Sequence, residues 1–171
     1  MVGLPMSDKA HYDHKMVMDF PEGMVIVIDT RESDPLFHHG GKLRKGIPVV
    51  RKTLEFGDYS ILGFETSFVV ERKKQGDLFG CLGKQRDRFK KELQKMELAE
   101  RKWILVEEKE EDIMQSYKWS KMHPNAVRQS IASIEVDFGI PFHYSGNRKG
   151  SEIWLVDRMI KYYRWKRGGK S

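Results

Sequence analysis

Val69-Val70-Glu71-Arg72-Lys73-Lys74-Gln75-Gly76-Asp77 runs from two β-branched apolar residues into an acid, a string of bases and a second acid. The pattern is that of a strand that delivers a carboxylate and an amine to one place and then stops. On a strand, residues two apart share a face and lie about 7 Å from each other. Glu71 and Lys73 therefore point one way and Arg72 the other. A carboxylate holds a divalent cation through hard oxygen ligands, and a lysine beside it orients a water or offsets charge on a phosphate. Metal-assisted phosphodiester cleavage asks for that pairing. Taken alone, Glu-Arg-Lys-Lys is more often a solvated charged strip than a site.

Two upstream stretches change the balance. Met24-Val25-Ile26-Val27-Ile28 is a continuous apolar run ending in Asp29-Thr30-Arg31-Glu32, which reads as a buried strand with acids at its exit. In Leu54-Glu55-Phe56-Gly57-Asp58-Tyr59-Ser60-Ile61-Leu62, Gly57-Asp58 is a turn signal between two short β-prone segments. Asp29, Asp58 and Glu71 each fall at or beside a predicted strand end. A buried strand carries such acids when they are paired or bind a metal.

These residues carry a resemblance. Ile28-Asp29-Thr30-Arg31-Glu32, then Gly57-Asp58-Tyr59, then Val70-Glu71-Arg72-Lys73 with Asp77 after three more residues, resembles the nuclease domain of XPF-type structure-selective endonucleases. That family lies in the restriction-endonuclease-like, PD-(D/E)XK superfamily. Its pattern is Gly-Asp, a variable gap, Glu-Arg-Lys, three residues and Asp, and the likeness extends over residues 24–165. The resemblance implies metal-dependent cleavage of DNA at branches, flaps or forks. It implies Asp58 and Glu71 as metal-binding acids, with Asp29 supporting the metal directly or through water. Lys73 matches the lysine that positions the attacking water, and Arg72 matches an arginine needed for activity. Glu32 and Asp77 match positions that back the site or start a helix. Geometry alone leaves Arg72 open: it could pair with an acid such as Asp77 or contact the DNA backbone.

The choice of metal follows from ligand type. The six histidines are scattered, and His38-His39 is a lone doublet in a glycine-containing loop. With no zinc-spaced His/Cys set, Mg²⁺ or Mn²⁺ is favoured over Zn²⁺. Mg²⁺ keeps several waters, so one or two carboxylates and a substrate phosphate suffice.

At 171 residues the chain is long enough for one domain with a sizeable core. Its 31 Lys+Arg against 25 Asp+Glu give a net charge of +6, which favours a polyanionic partner. The single cysteine, Cys81, rules out an intramolecular disulfide, suits a reducing compartment and sits in an apolar pattern as a small core residue. No apolar run reaches membrane-spanning length and no secretory signal opens the chain.

Along the chain, residues 1–21 read as a mobile N-terminal tail and 22–171 as the nuclease domain. Pro35 to Pro48 is predicted as a loop whose bases, including Lys42 and Arg44, either contact DNA or are simply solvated. Two short strands around Gly57-Asp58 and a strand over Ser67–Arg72 form an antiparallel meander. One helix follows from an N-cap at Asp77, with Leu78, Leu82, Phe89, Leu93 and Met96 inward and Gly80 and Gly83 weakening its start. The family resemblance puts basic residues of this helix near the scissile strand, chiefly Arg86 and Arg88.

Lys102–Glu107 reads as a second buried strand, and the charges from Glu107 to Asp112 as a solvated turn without catalytic part. Pro124 opens a helix with Ala126, Val127, Ile131, Ile134 and Phe138 inward, and Gly139 ends it. A short edge strand at Ile140–Tyr144 precedes a last helix starting at Ser151, with Ile153, Val156, Ile160 and Tyr163 or Trp165 inward. The basic, aromatic end of that helix suits nucleic acid or a dimer interface; the resemblance favours a homodimer or heterodimer through the last two helices.

The fold class expected is α/β, a central mixed β-sheet flanked by helices, restriction-endonuclease-like. Many XPF-type proteins carry a helicase-like domain before the nuclease and helix-hairpin-helix modules after it, and neither is in this sequence. Three functions remain. The first is a Mg²⁺-dependent endonuclease acting where single-stranded and duplex DNA meet. The second is a non-cleaving DNA-binding or scaffolding subunit of the same fold. The third is a nuclease acting on RNA or on simple ends. The expected location is cytoplasmic and nucleoid-associated in a prokaryote or phage, and nuclear in a eukaryote.

Overall fold

The computed structural model describes residues 19–115 and 120–168. Most of the predicted tail lies outside the described residues; of its last three, Phe20 packs against the core. Strands β1 (Ile26–Ile28), β4 (Val49–Arg51), β5 (Tyr59–Ile61), β6 (Phe68–Lys73), β7 (Arg101–Val106) and β8 (Phe142–Tyr144) form one sheet in the order β4-β1-β5-β6-β7-β8. It is mixed: β5 runs antiparallel to β1 and β6, whereas β4 is parallel to β1, and β6, β7 and β8 are parallel. The parallel steps from β6 to β7 and from β7 to β8 are crossed by helices α1 (Gln75–Leu82), α2 (Arg86–Met96) and α4 (Pro124–Phe138), whereas residues 29–48 carry the chain from β1 to β4 without a helix. Helix α5 (Arg148–Lys166) follows β8, and a short helix α3 (Glu110–Ile113) follows β7.

Strand alternation sorts the core into two faces. Phe68 and Val70 of β6 and Leu105 of β7 pack with Trp154, Leu155 and Met159 of α5. Val69, Ile104 and Val106 pack with Leu78, Phe89, Leu93 and Ile131 of α1, α2 and α4. The period of two then places Glu71 and Lys73 on the α1/α2 side and Arg72 on the other.

Several expectations are corrected. Pro35–Pro48 is not only loop: β2 (His38–His39) and β3 (Lys42–Leu43) pair there as a hairpin. Leu54–Asp58 forms no strand, because Gly57 turns the chain sharply, and the strand before it, β4, pairs parallel with β1. The helix after β6 is two helices broken at Gly83, and its N-cap is Lys74, with Asp77 in the first turn. Ala126 is exposed because it stands one position off the Val127–Ile131–Ile134 stripe. Helix α5 starts three residues before Ser151, capped by the Asn147 side chain, which accepts from the Gly150 N–H at 2.9 Å. Its buried apolar residues are Trp154, Leu155, Val156, Met159, Tyr162 and Tyr163, so Val156 and Tyr163 are inward as expected; Ile153 and Ile160 are half-buried, and Trp165 is exposed. Sequence pattern misplaced part of that face because α5 is apolar on more than one side.

Candidate active site

Asp58 is placed by three backbone devices. Gly57 has φ +76°, and a Cβ there would come within 2.4 Å of the Val69 side chain, so the turn needs glycine. The Asp58 N–H donates to Val70 O at 2.9 Å, and the Asp29 N–H donates to Asp58 O at 2.8 Å. The Asp58 carboxylate then accepts the Arg72 N–H on Oδ2 at 2.8 Å. Among the described residues Oδ1 makes no hydrogen bond.

Asp58, Glu71 and Lys73 line one cleft of about 410 Å³, together with Arg31, Glu32, Asp77, Arg88, Glu92 and Lys95. Burial and the charge of Glu71 hold the Asp58 carboxyl well above the usual carboxylate range. Burial likewise raises Glu71, against the pull of Lys73, whose Nζ lies 2.6 Å from Glu71 Oε1. Lys73 is itself pushed up: Glu71 and the other negative groups around it outweigh the burial that would lower it, so it stays an ammonium. Two carboxylates that repel each other, Glu71 buried and Asp58 half-buried, are a place where a cation is electrostatically wanted. Among the described residues no group of three or more His, Cys, Asp or Glu is arranged to hold a metal. Asp58 and Glu71 are the oxygen donors that could, and two carboxylates with waters and a phosphate fit Mg²⁺ better than a closed zinc site.

Asp29 is differently used. Oδ1 accepts from the Arg31 N–H at 2.8 Å and Arg31 Nε at 2.7 Å, and Oδ2 from the Leu54 N–H at 2.7 Å and Arg31 Nη2 at 3.0 Å. Burial would raise its pKa, but these bonds outweigh it and the net shift is downward. With four donors on two oxygens, Asp29 is a clamp that aims Arg31 along the cleft. Arg31, which sequence reading passed over, keeps 64% of its side chain exposed at the cleft wall. The spacing of Asp29 and Arg31, two residues apart at a strand exit, was the available signal.

Arg72 does not meet Asp77. Its guanidinium is buried at 2% exposure, donating from Nε to Glu107 Oε2 at 2.7 Å and from Nη1 to Asp34 O at 2.7 Å, with Glu32 Oε2 at 3.5 Å. Nη2 touches Glu107 as an ion pair without hydrogen-bond alignment. Glu107, read from sequence as part of a solvated run, is therefore the acid that fastens the end of β7 to β6. Glu32 lies in this network and also lines the cleft, and Asp77 stands exposed at the cleft edge, where an acid suits a helix start.

The predicted DNA contacts separate. Arg88 reaches the cleft, 74% exposed and paired with Glu92 at 3.2 Å. Arg86 lines a small cavity between α2 and α4 instead. Lys42 is exposed on the hairpin, and Arg44 pairs at 2.8 Å with Glu152, which is buried in α5 and also accepts the Phe37 N–H. Neither hairpin base lines the cleft. A larger groove of about 960 Å³ runs along α5 beside Trp103 and Trp165 and holds none of the acids of the cleft.

A mixed sheet flanked by helices, with a Gly-Asp turn and a Glu-x-Lys strand end facing one cleft, defines a restriction-endonuclease-like nuclease fold. The family model of the ERCC4 domain matches residues 28–157, so the chain belongs to the ERCC4 domain family. XPF from Aeropyrum pernix shares the fold, with a TM-score of 0.59 at 20% identity over 81% of this chain. The same protein in complex with DNA gives a TM-score of 0.62 at 20% identity over 82% of this chain. This chain covers 64% and 65% of those two chains. A Methanocaldococcus jannaschii protein designated an ATP-dependent RNA helicase is 30% identical over 133 residues, which are 77% of this chain and 15% of that protein. Among the described residues, no helix is long and apolar enough to cross a membrane.

Proposed function

We propose that this domain hydrolyses DNA phosphodiester bonds where single-stranded and duplex DNA meet, using Mg²⁺ or Mn²⁺. The observation that carries this reading is the convergence of Asp58, Glu71 and the Lys73 ammonium on one cleft. The cation, when bound, would supply Lewis-acid stabilisation of the phosphate charge. Asp58 and Glu71 would hold it. Lys73, freed in part from Glu71, would hydrogen-bond the attacking water or a phosphate oxygen, and Arg31 would sit against the developing negative charge. The similar A. pernix structure, a complex with DNA, supports a DNA substrate.

Arg88 and Lys95 on α2 would flank the scissile strand. Arg88→Ala with Lys95→Ala is expected to weaken metal-free DNA binding and to make the log-affinity against log-salt slope shallower by about 1–2. Arg86→Ala should leave that slope unchanged. Fluorescence anisotropy over a salt series measures both, and an unchanged slope in the double variant removes these residues from the DNA path.

Two copies, or this chain and a relative, would pair through the outer face of α5, whose apolar groove includes Trp103, Ile160 and Trp165. Such a nuclease would work where DNA is, the nucleoid or the nucleus.

The decisive experiment incubates the protein with labelled flap, fork, nicked, linear and single-stranded DNA and with RNA, with Mg²⁺, with Mn²⁺ and with chelator. Cleavage of branched DNA alone, abolished by chelator, is expected. Binding without cleavage of any substrate would instead favour a scaffolding subunit.

A further inference from the structure

Lys73 sits on a four-carbon stem with many rotamers, and a single ion pair does not hold such a group in place. Its Nζ is 2.6 Å from Glu71 Oε1 and 5.2 Å from the ring centroid of Phe89, which is 2% exposed on α2. The buried Cys81 thiol of α1 meets the same ammonium. Lys73 keeps 13% exposure and lines the cleft. A cation within about 6 Å of an aromatic face is drawn to the ring quadrupole. Glu71 cannot give both oxygens to a metal and remain the full partner of Lys73. Among the described residues, no other cation lies over the ring.

We infer that Phe89 is a positioning residue: its ring holds the Lys73 ammonium at the cleft while Glu71 turns to the metal. This rests on the nuclease reading of the site. It also gives α2 a second task. Arg88, adjacent to Phe89, faces the same cleft, so the helix that meets the substrate also steadies the catalytic lysine.

The test compares Phe89→Leu, which keeps apolar bulk and loses the ring face, with Phe89→Tyr, which keeps the ring. Phe89 borders a cavity of about 60 Å³ that gives room to an added hydroxyl. With Mg²⁺ and flap DNA, Phe89→Leu is expected to lower kcat about fivefold or more with KM and metal-free DNA affinity unchanged, and Phe89→Tyr to restore it. Independently of activity, ¹³C relaxation of the Lys73 ε-methylene should report an ordered side chain in the parent and Phe89→Tyr and a mobile one in Phe89→Leu. Equal order and equal kcat in all three, with only thermal midpoints changed, would make Phe89 a plain core residue and overturn the inference. A parent that cuts nothing yet shows the ring-dependent ordering of Lys73 would sink the nuclease reading and leave the positioning intact. If Phe89→Leu fails to fold, a properly folded Phe89→Met takes its place: loss of Lys73 order and of kcat supports the positioning role, and parental values of both overturn it.

Discussion

Asp58→Asn is expected to lower metal-dependent cleavage by about 10³-fold, the loss that goes with several kcal/mol of charge stabilisation at the phosphate. The same change should make the metal-free domain more stable at neutral pH. The sign follows from the raised pKa of Asp58. A carboxyl whose folded pKa lies above its unfolded value near 3.9 adds nothing while protonated in both states. It costs stability as pH climbs from that unfolded value through the folded one, and the full cost persists above it. Asparagine carries no charge to bury and keeps an oxygen for the Arg72 N–H. A gain of about 1 kcal/mol raises the thermal midpoint on the order of 3 °C in a domain of this size. The gain should vanish near pH 3, where Asp58 is protonated in both states. Mg²⁺ should raise the midpoint of the parent and not that of the variant. A variant that cuts at the parental rate, or that gains from Mg²⁺ as much as the parent does, would remove Asp58 from the metal site.

Arg72→Ala should produce the largest loss of stability. The side chain is 2% exposed and ties β6 to Glu107, Asp34 and Glu32 at once. Truncating one partner of a buried ionic network strands the others, at about 3–5 kcal/mol; Glu107 and Glu32 keep some solvent, so about 3 kcal/mol is expected. The midpoint should fall by roughly 10 °C. Arg72→Lys should recover only part of this, because an ammonium lacks the planar fork that spans Glu107 and the Asp34 carbonyl. Denaturant titrations measure both variants. If Arg72→Ala keeps parental stability and still loses cleavage, the guanidinium serves the substrate and its structural bracing is incidental.

These two residues show how differently the strand end could be read. Alternation along Val69–Lys73 already put Glu71 and Lys73 together and Arg72 apart, and the structure keeps that division. What faces Arg72 comes from residues 32, 34 and 107, and no local pattern joins them. Glu107 was indistinguishable from its charged neighbours in sequence, because only the parallel pairing of β6 with β7 brings it alongside Lys73, whose carbonyl accepts the Glu107 N–H at 2.9 Å. Asp29 illustrates the converse. Its place beside the acids was legible, but its lone pairs are filled by Arg31 and Leu54. Which acids retain free oxygens depends on where neighbouring donors fall in three dimensions.

Helix limits and the inner face of α5 were the weakest readings, whereas Leu78, Leu82, Phe89, Leu93 and Met96 are buried as expected. Gly83 divides α1 from α2, and the broad apolar surface of α5 gave no single stripe to choose. The acid–acid–lysine triad, the α/β class and the edge strand next to Pro141 were written in the order of residues, because strand period, turn chemistry and charge are local properties of the chain. The cleft itself, the capture of Asp29 by Arg31, the burial of Arg72 against Glu107 and the meeting of Lys73 with Phe89 were decided by tertiary packing. Each of these joins side chains from different elements, and a contact of that kind exists only once the sheet has set strand order and the helices have been laid across it.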